Sequence, residues 1–404
     1  MRIITIAMLT LFSPAVFAQG QVEPATRIVP VESKARDVKA LPESARPIFV
    51  SAQRGLEWLK HMNKADGRFV YGFQPALVVI LEGDNFTSQA GATFALARAS
   101  RYFRDGRGTT MARQAALTLL LETVLDKESA ERYTAAPPQA LNRLAAQGLL
   151  VSAIHELAIP GDDLLLQADQ LCNYLRKQQR SDGSLVVSEG KSGSDELDAL
   201  HAGWALQGIV RSNKQRPAEW KMDALKKART YYMHHWPNQR SIAMASSHTS
   251  AYAEAYLATK DAVFAESVFT MNDWLVGLQM RENFDSSRKH WSGAFPRLVS
   301  GKPDQAAPDI WSSRAAESLA DAARVAKHAG DLQRLQRYER ASILCSYFLM
   351  SLQYSPKNTE HFAEKFRPSI IGGFYASHQD GNLRLDYTQH ALCAMVQYLD
   401  SVVE

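Results

Sequence analysis

Three pairs of side chains in this sequence stand at helical spacing and could move protons together. They are Asp198 with His201, His248 with Tyr252, and Asp386 with His390. Residues three or four apart share one face of a helix, so each pair can form a hydrogen-bonded acid and base. Around them lie further polar and aromatic residues of the same kind of segment: Glu82, Asp84, Asn85 and Gln89; Glu196 and Trp204; Glu254; Asp309, Trp311, Arg314 and Glu317; Arg384 and Tyr387. Hydrolysis of a glycosidic bond needs one carboxylic acid on the leaving oxygen and one carboxylate to activate water. Asp84, Glu196, Asp198, Asp309 and Asp386 are the acids available for it. Elimination across a uronate needs a cation for the sugar carboxylate, such as Arg314 or Arg384. It also needs a base and an acid, such as His248 with Tyr252 or His390 with Tyr387. Trp204, Trp311 and Tyr375 offer faces on which sugar rings can stack.

Each of these groups has a purely structural alternative. Asp84, Asp198, Ser247, Asp309 and Asp386 are residue types that cap helix starts. Arg314 with Glu317 and Arg384 with Asp386 can be simple ion pairs. His234-His235 reads as the end of a helix rather than a metal site, and the sequence implies neither a metal nor a cofactor.

These residues are not scattered. They open a series of Ala- and Leu-rich segments that begin near Glu82, Pro137, Ser194, Ser246, Pro308 and Arg384. Between them runs a second, more amphipathic series near 50–63, 109–126, 163–180, 219–235, 262–280 and 331–353. Two helices per period is a helical-hairpin repeat. A helix surrounded by neighbours needs small and apolar residues nearly all round, whereas an outer helix needs one apolar stripe. Six such hairpins closing on themselves give an all-α (α/α)6 toroid, its polar helix starts ringing a central depression. An open solenoid of the same hairpins is the competing arrangement.

The amphipathic helices end in a recurring phrase: an aromatic and Leu, then Gln or Asn, then Gly and an apolar residue. Trp58-Leu59, Asn63, Asp66-Gly67-Arg68-Phe69 is one copy, and Tyr174-Leu175, Gln179, Asp182-Gly183-Ser184-Leu185 another. Looser copies are Trp274-Leu275, Gln279, Gly293-Ala294-Phe295 and Phe348-Leu349, Gln353, Gly373-Phe374. The phrase resembles the helix-turn repeat of terpenoid cyclase and protein prenyltransferase toroids, which several six-hairpin glycosidases, polysaccharide lyases and epimerases approximate. The resemblance implies the closed ring. The chemical landmarks of the first two groups are missing, since Asp195-Glu196-Leu197-Asp198 is not the Asp-x-Asp-Asp acid and no Cys sits near an acidic helix start for a zinc set. No Walker loop, HExxH or GxSxG occurs.

Composition narrows the function. The 404 residues carry 46 Lys or Arg against 42 Asp or Glu. That near balance lacks the concentrated basic stripe of a nucleic-acid surface. Residues 1–18, with Arg2, an apolar run and small residues near Ala18, read as a cleaved signal peptide, so the mature chain is expected in the periplasm or outside the cell with no stable membrane span. Residues 19–47 read as a polar, Pro-spaced leader and 48–404 as one toroid domain. The three cysteines, Cys172, Cys345 and Cys393, allow one bridge with a spare thiol or three free thiols. The Gly-rich stretch 371–381 is a candidate rim over the depression.

The expected function is cleavage of glycosidic linkages of a polysaccharide or oligosaccharide, by hydrolysis or by elimination on uronates. The acid and base candidates are Asp84, Asp198, His201, His248, Tyr252, Asp386 and His390. Asn85, Gln89, Trp204, Trp311, Arg314, Tyr375, Arg384 and Tyr387 are the candidates for substrate contact. A non-catalytic toroid that binds a glycan, peptide or lipid is the second reading, and a terpenoid cyclase-like enzyme the third.

Overall fold

The computed structural model describes residues 36–136, 142–187, 195–281, 286–299 and 301–403. The signal-peptide segment and residues 19–35 lie outside them. The described residues hold twelve α-helices. Six form an inner ring: α2 (Phe86–Phe103), α4 (Arg143–Glu156), α6 (Asp195–Gln215), α8 (Ile242–Thr259), α10 (Ser312–Ala329) and α12 (Leu385–Val403). Each packs on the next, and α12 returns to pack on α2, which closes the ring and excludes the open solenoid. The outer layer is α1 (Arg46–Met62), α3 (Gly106–Leu121), α5 (Asp162–Lys177), α7 (Glu219–His235), α9 (Ala262–Leu278) and α11 (Leu332–Ser351).

Composition explains the two layers. Inner helix α8 is buried from Ala243 to Tyr256, whereas α5 buries only one stripe, Leu164, Ala168, Leu171, Cys172, Tyr174 and Leu175. Small residues let the inner helices approach closely. A Cβ on Gly148 of α4 would collide with the Trp204 carbonyl of α6.

Short turns join each inner helix to the following outer one, so every long connection falls on the face where the inner helices begin. That face carries β1 (Gly72–Gln74), β2 (Val79–Ile80), β7 (Tyr375–Ser377) and β8 (Asp380–Arg384) in one sheet of order β2-β1-β8-β7. Two hairpins, β3 (Thr123–Asp126) with β4 (Glu131–Thr134) and β5 (Leu298–Val299) with β6 (Lys302–Pro303), complete it. The Gly-rich stretch 371–381 forms most of the β7–β8 hairpin.

In the three copies that carry Gln, the recurring phrase has one structural meaning. At the end of α5, Gln179 Nε2 donates to Gly183 O at 3.2 Å and to Ala224 O of α7 at 2.8 Å, tying the loop to the next outer helix. Gln279 does the same with Gly293 O at 2.9 Å and Ala341 O of α11 at 2.8 Å. Gln353 reaches Gly372 O at 2.9 Å and Ser51 O of α1 at 3.0 Å, which joins the last outer helix to the first. In that last copy the glycine equivalent to Gly183 is therefore Gly372, not Gly373. Gly183 has φ +93°, and a Cβ there would collide with the Lys227 carbonyl, so no other residue fits.

Residues 36–47, read from sequence as leader, pack on the ring. Arg36 Nε donates to Tyr102 O at 2.9 Å, and Leu41 and Ala45 are buried. All the described residues belong to one compact unit. All three cysteines are buried free thiols. Among the described residues, no helix is long and apolar enough to cross a membrane.

Candidate active site

Three inner helices turn a stripe of side chains toward the centre of the ring. On α6 it is His201 and Trp204, on α10 Arg314 and Glu317 with Trp311 at its N-cap, and on α12 Asp386 and His390, each at three- or four-residue spacing. Trp311, Arg314 and Glu317 are half-buried while residues between them are fully buried. The stripes meet through rings. Trp204 stacks on His390 with centroids 6.1 Å apart and planes 19° apart, and His201 lies 5.7 Å from Trp204. From the other side, Trp311 approaches His390 at 6.0 Å and Tyr387 edge-on at 5.4 Å.

His390 Nδ1 lies 3.2 Å from Glu317 Oε2. A carboxylate only accepts, so Nδ1 carries the hydrogen and Nε2 is left as the acceptor when the ring is neutral. Glu317 in turn has Arg98 Nη1 3.8 Å from its other oxygen. Arg314 spreads its guanidinium 4.0 Å above the Trp311 ring. Its Nε is buried without an acceptor. Burial lowers its pKa to about 10, while Asp386, Glu196, Glu317 and Asp309 pull the other way through space. Arg314 and Glu317 do not form the ion pair that their spacing allowed. Arg384 and Asp386 do, with Arg384 Nη2 2.5 Å from Asp386 Oδ2, and the Arg384 guanidinium covers Tyr387 at 4.9 Å.

Two more groups here are shifted. His201 is pushed down to about 4 by burial, against the pull of Asp198, and is therefore neutral at ordinary pH. Asp309 is raised, again by burial, although it accepts a bond from Trp311 N at 2.9 Å. Beside these residues a cleft of about 360 Å³ runs between α6, α8 and α10, with Glu196, Phe295, Arg297, Asp309, Trp311 and Arg314 among its walls. That is the size of a small-ligand site.

Not every candidate comes to this centre. Helix α8 begins at Ile242, capped by Ser241 whose Oγ accepts from Met244 N at 3.1 Å. Ser246, Ser247 and His248 therefore do not open it but lie inside it. His248 is wholly buried: Nε2 donates to Ala199 O at 3.0 Å, Nδ1 accepts from Tyr252 OH at 3.1 Å, and Tyr232 of α7 packs on its ring. The His248–Tyr252 pair thus sits between the inner and outer layers with both ring nitrogens used. Asp84, Asn85 and Gln89 are also engaged elsewhere. Asn85 caps α2, Asp84 pairs with Arg68 at 2.8 Å, and Gln89 bonds Phe69 N, Phe69 O and Asp84. Tyr375 points its hydroxyl to Ser351 O at 2.6 Å at the end of α11. Brought together are His201, Trp204, Trp311, Arg314, Arg384, Asp386, Tyr387 and His390, while Asp198 acts on His201 and on Tyr232 of α7. Among the described residues, no group of three or more His, Cys, Asp or Glu is arranged to hold a metal ion.

Below the centre lies a set of which the sequence singled out only Glu254. Arg98, Glu156, Arg211 and Glu254 are each at least nine-tenths buried and fill the axis of the ring. Arg98 lies 3.6 Å from Glu156, Arg211 bonds Glu156 and lies 3.2 Å from Glu254, and both guanidinium groups pack on Phe94 at 4.5 and 5.0 Å. The signal was present, since a charge inside an Ala-rich inner helix has only the axis to point to.

No family of known proteins matches the chain, and no curated protein sequence matches it. Solved structures do. A sugar epimerase from a ruminal bacterium superposes with a TM-score of 0.61 at 13% identity, over 87% of this chain and 98% of its own. An unsaturated glucuronyl hydrolase specific for heparin gives 0.60 at 12%, over 87% and 97%. A D-mannose isomerase gives 0.61 at 11%, over 89% and 99%. What these proteins share with the chain is architecture, and the chain is an (α/α)6 toroid.

Proposed function

We propose that the chain is a carbohydrate-active enzyme that cleaves a glycosidic linkage of an acidic polysaccharide or oligosaccharide in the central depression. The observation that carries this reading is Arg314, a guanidinium lining the cleft with a buried Nε that lacks an acceptor. Such a donor is completed by an acceptor oxygen, and a sugar carboxylate matches the planar fork of a guanidinium. Trp311 and Trp204 provide faces for the apolar side of sugar rings. The solved structures of like architecture include a glucuronyl hydrolase, a sugar epimerase and a mannose isomerase, which supports a saccharide as substrate. The signal-like segment 1–18 agrees with a role outside the cytoplasm.

Elimination uses the set most directly. Arg314 neutralises the uronate carboxylate, which acidifies the neighbouring C5–H. His390 Nε2, kept as the acceptor by Glu317 on Nδ1, takes that proton. The electron pair forms the C4–C5 double bond, and the O4 leaving group departs with a proton from Tyr387. Hydrolysis is the second reading, favoured by Asp309: burial raises its pKa and suits it to protonate a leaving oxygen, with Asp386 or Asp198 serving water. The test is a panel of acidic and neutral polysaccharides, read for new reducing ends and for the ultraviolet absorbance of an unsaturated uronate. Ends with absorbance mean elimination, and ends without it mean hydrolysis. Neither on any polymer, for a protein that still binds them, leaves the non-catalytic reading.

A further inference from the structure

A second pocket of about 430 Å³ lies on the same face, at the end of α9. Its walls include Met280, Arg281, Arg288, Trp291, Pro296 and Pro303. Trp291 is 9% exposed, and its indole N–H is buried without an acceptor. A buried indole donor normally finds a partner, so an orphan that borders a cavity points to a ligand that supplies one. The Arg288 guanidinium lies 4.6 Å above the Trp291 ring. The one carboxylate among the walls, Asp304, already accepts from Ala306 N at 3.3 Å. The pocket therefore combines apolar walls, a buried indole donor and the guanidinium groups of Arg281 and Arg288.

Its position matters as much as its chemistry. Pro296 borders both this pocket and the central cleft, and the β5–β6 hairpin that follows it is the ridge between them. Arg314 and Arg297 stand on the central side and Arg281 and Arg288 on the other. A chain with regularly spaced carboxylates can follow that order of cations.

We propose that the Trp291 pocket is a second saccharide-binding subsite, which takes an acidic sugar unit of a chain whose neighbouring units occupy the central cleft. The unit's hydroxyl or carboxylate oxygen accepts the Trp291 N–H, its carboxylate faces Arg281 and Arg288, and its apolar face packs on Met280, Pro296 and Pro303. This rests on the proposed acidic saccharide and adds that the enzyme grips a chain rather than a short sugar.

The indole N–H resonances of the isotope-labelled full-length protein test it, titrated with disaccharides and hexasaccharides of polygalacturonate, alginate and hyaluronan. With the hexasaccharide that binds, the Trp291 resonance shifts together with those of Trp204 and Trp311, and with the disaccharide only the latter two shift. Trp58, whose N–H is bonded to Ser369 O, stays in place and reports an intact fold. Trp291→Phe raises the hexasaccharide Kd about tenfold and leaves the disaccharide Kd alone. Arg281→Ala on the pocket rim has the same effect and serves if Trp291→Phe folds poorly. A Trp291 resonance that stays still while Trp204 and Trp311 move overturns the subsite and leaves the central reading standing. Failure of all three to move with every polymer overturns both.

Discussion

His390 Nδ1 and Glu317 Oε2 lie 3.2 Å apart at the bottom of the aromatic cluster, and Arg98 stands behind Glu317. The pair orients the imidazole and leaves Nε2 as its acceptor. His390→Asn is expected to lower kcat at least about a hundredfold, the usual size of a general acid–base contribution. Glu317→Gln retains the shape but not the charge and is expected to cost less, with a changed pH profile of kcat and a nearly constant KM. An unaltered profile in Glu317→Gln would show that Glu317 serves packing alone.

Arg314 separates acidic from neutral substrates. Arg314→Lys keeps a charge but loses the planar fork that lies on Trp311. Its kcat/KM on an acidic oligosaccharide is expected to fall about tenfold to a hundredfold, from a charge-assisted bond of about 1.5–3 kcal/mol. Affinity for neutral sugars should stay as it is. Equal losses on both substrate classes, measured by steady-state kinetics side by side, would remove the carboxylate from the argument.

The buried axis sets stability. Glu156→Gln leaves Arg98 and Arg211 in the interior without their shared carboxylate, and breaking a buried pair in this way costs about 3–5 kcal/mol. Urea unfolding of the variant measures it. A loss under about 1 kcal/mol would mean that water reaches the axis and shields these charges.

His248 makes stability fall in mild acid. Burial holds its pKa down to about 4, below the ordinary histidine value of 6.5. Between those two values the unfolded chain binds a proton that the folded chain refuses. The contribution is thus complete above about pH 6.5 and is lost as pH falls toward 4, amounting to about 2 kcal/mol at pH 5. His201, also pushed down to about 4 by burial, acts in the same direction. Urea midpoints at pH 7 and pH 5 should show the difference, and His248→Gln should shrink it.

Gly183→Ala tests the recurring phrase. The added methyl group meets the Lys227 carbonyl at a positive φ that alanine resists, so a loss of about 1–3 kcal/mol in thermal unfolding is expected. The same change at Gly106, whose surroundings are open, should leave the midpoint nearly unchanged.

The closed ring was legible in the residues themselves. Ala-rich and amphipathic segments alternate six times, and burial all round as against burial on one stripe demands that composition. The Gln-to-Gly phrase was equally plain, because an amide that ties a loop to the next helix and a glycine at positive φ admit few substitutes. The stripes of α6, α10 and α12 could also be listed in advance, since spacing fixes which side chains share a helix face.

Which faces turn to the centre is another matter. Helix α8 starts at Ile242 rather than near Ser246, and each residue of offset rotates a helix by about 100°. His248, which looked like a base at a helix mouth, consequently lies between the layers. The convergence of Trp204, Trp311 and His390 from three helices far apart in sequence belongs to the same class, as does the meeting of Arg98, Glu156 and Arg211. The sequence by itself determined how many hairpins there are, their layers and the ends that hold polar groups, because these follow from local periodicity and burial. The tertiary structure alone decided which polar groups meet, because that depends on helix rotation and ring closure, where a shift of one residue exchanges the axis for the space between the layers.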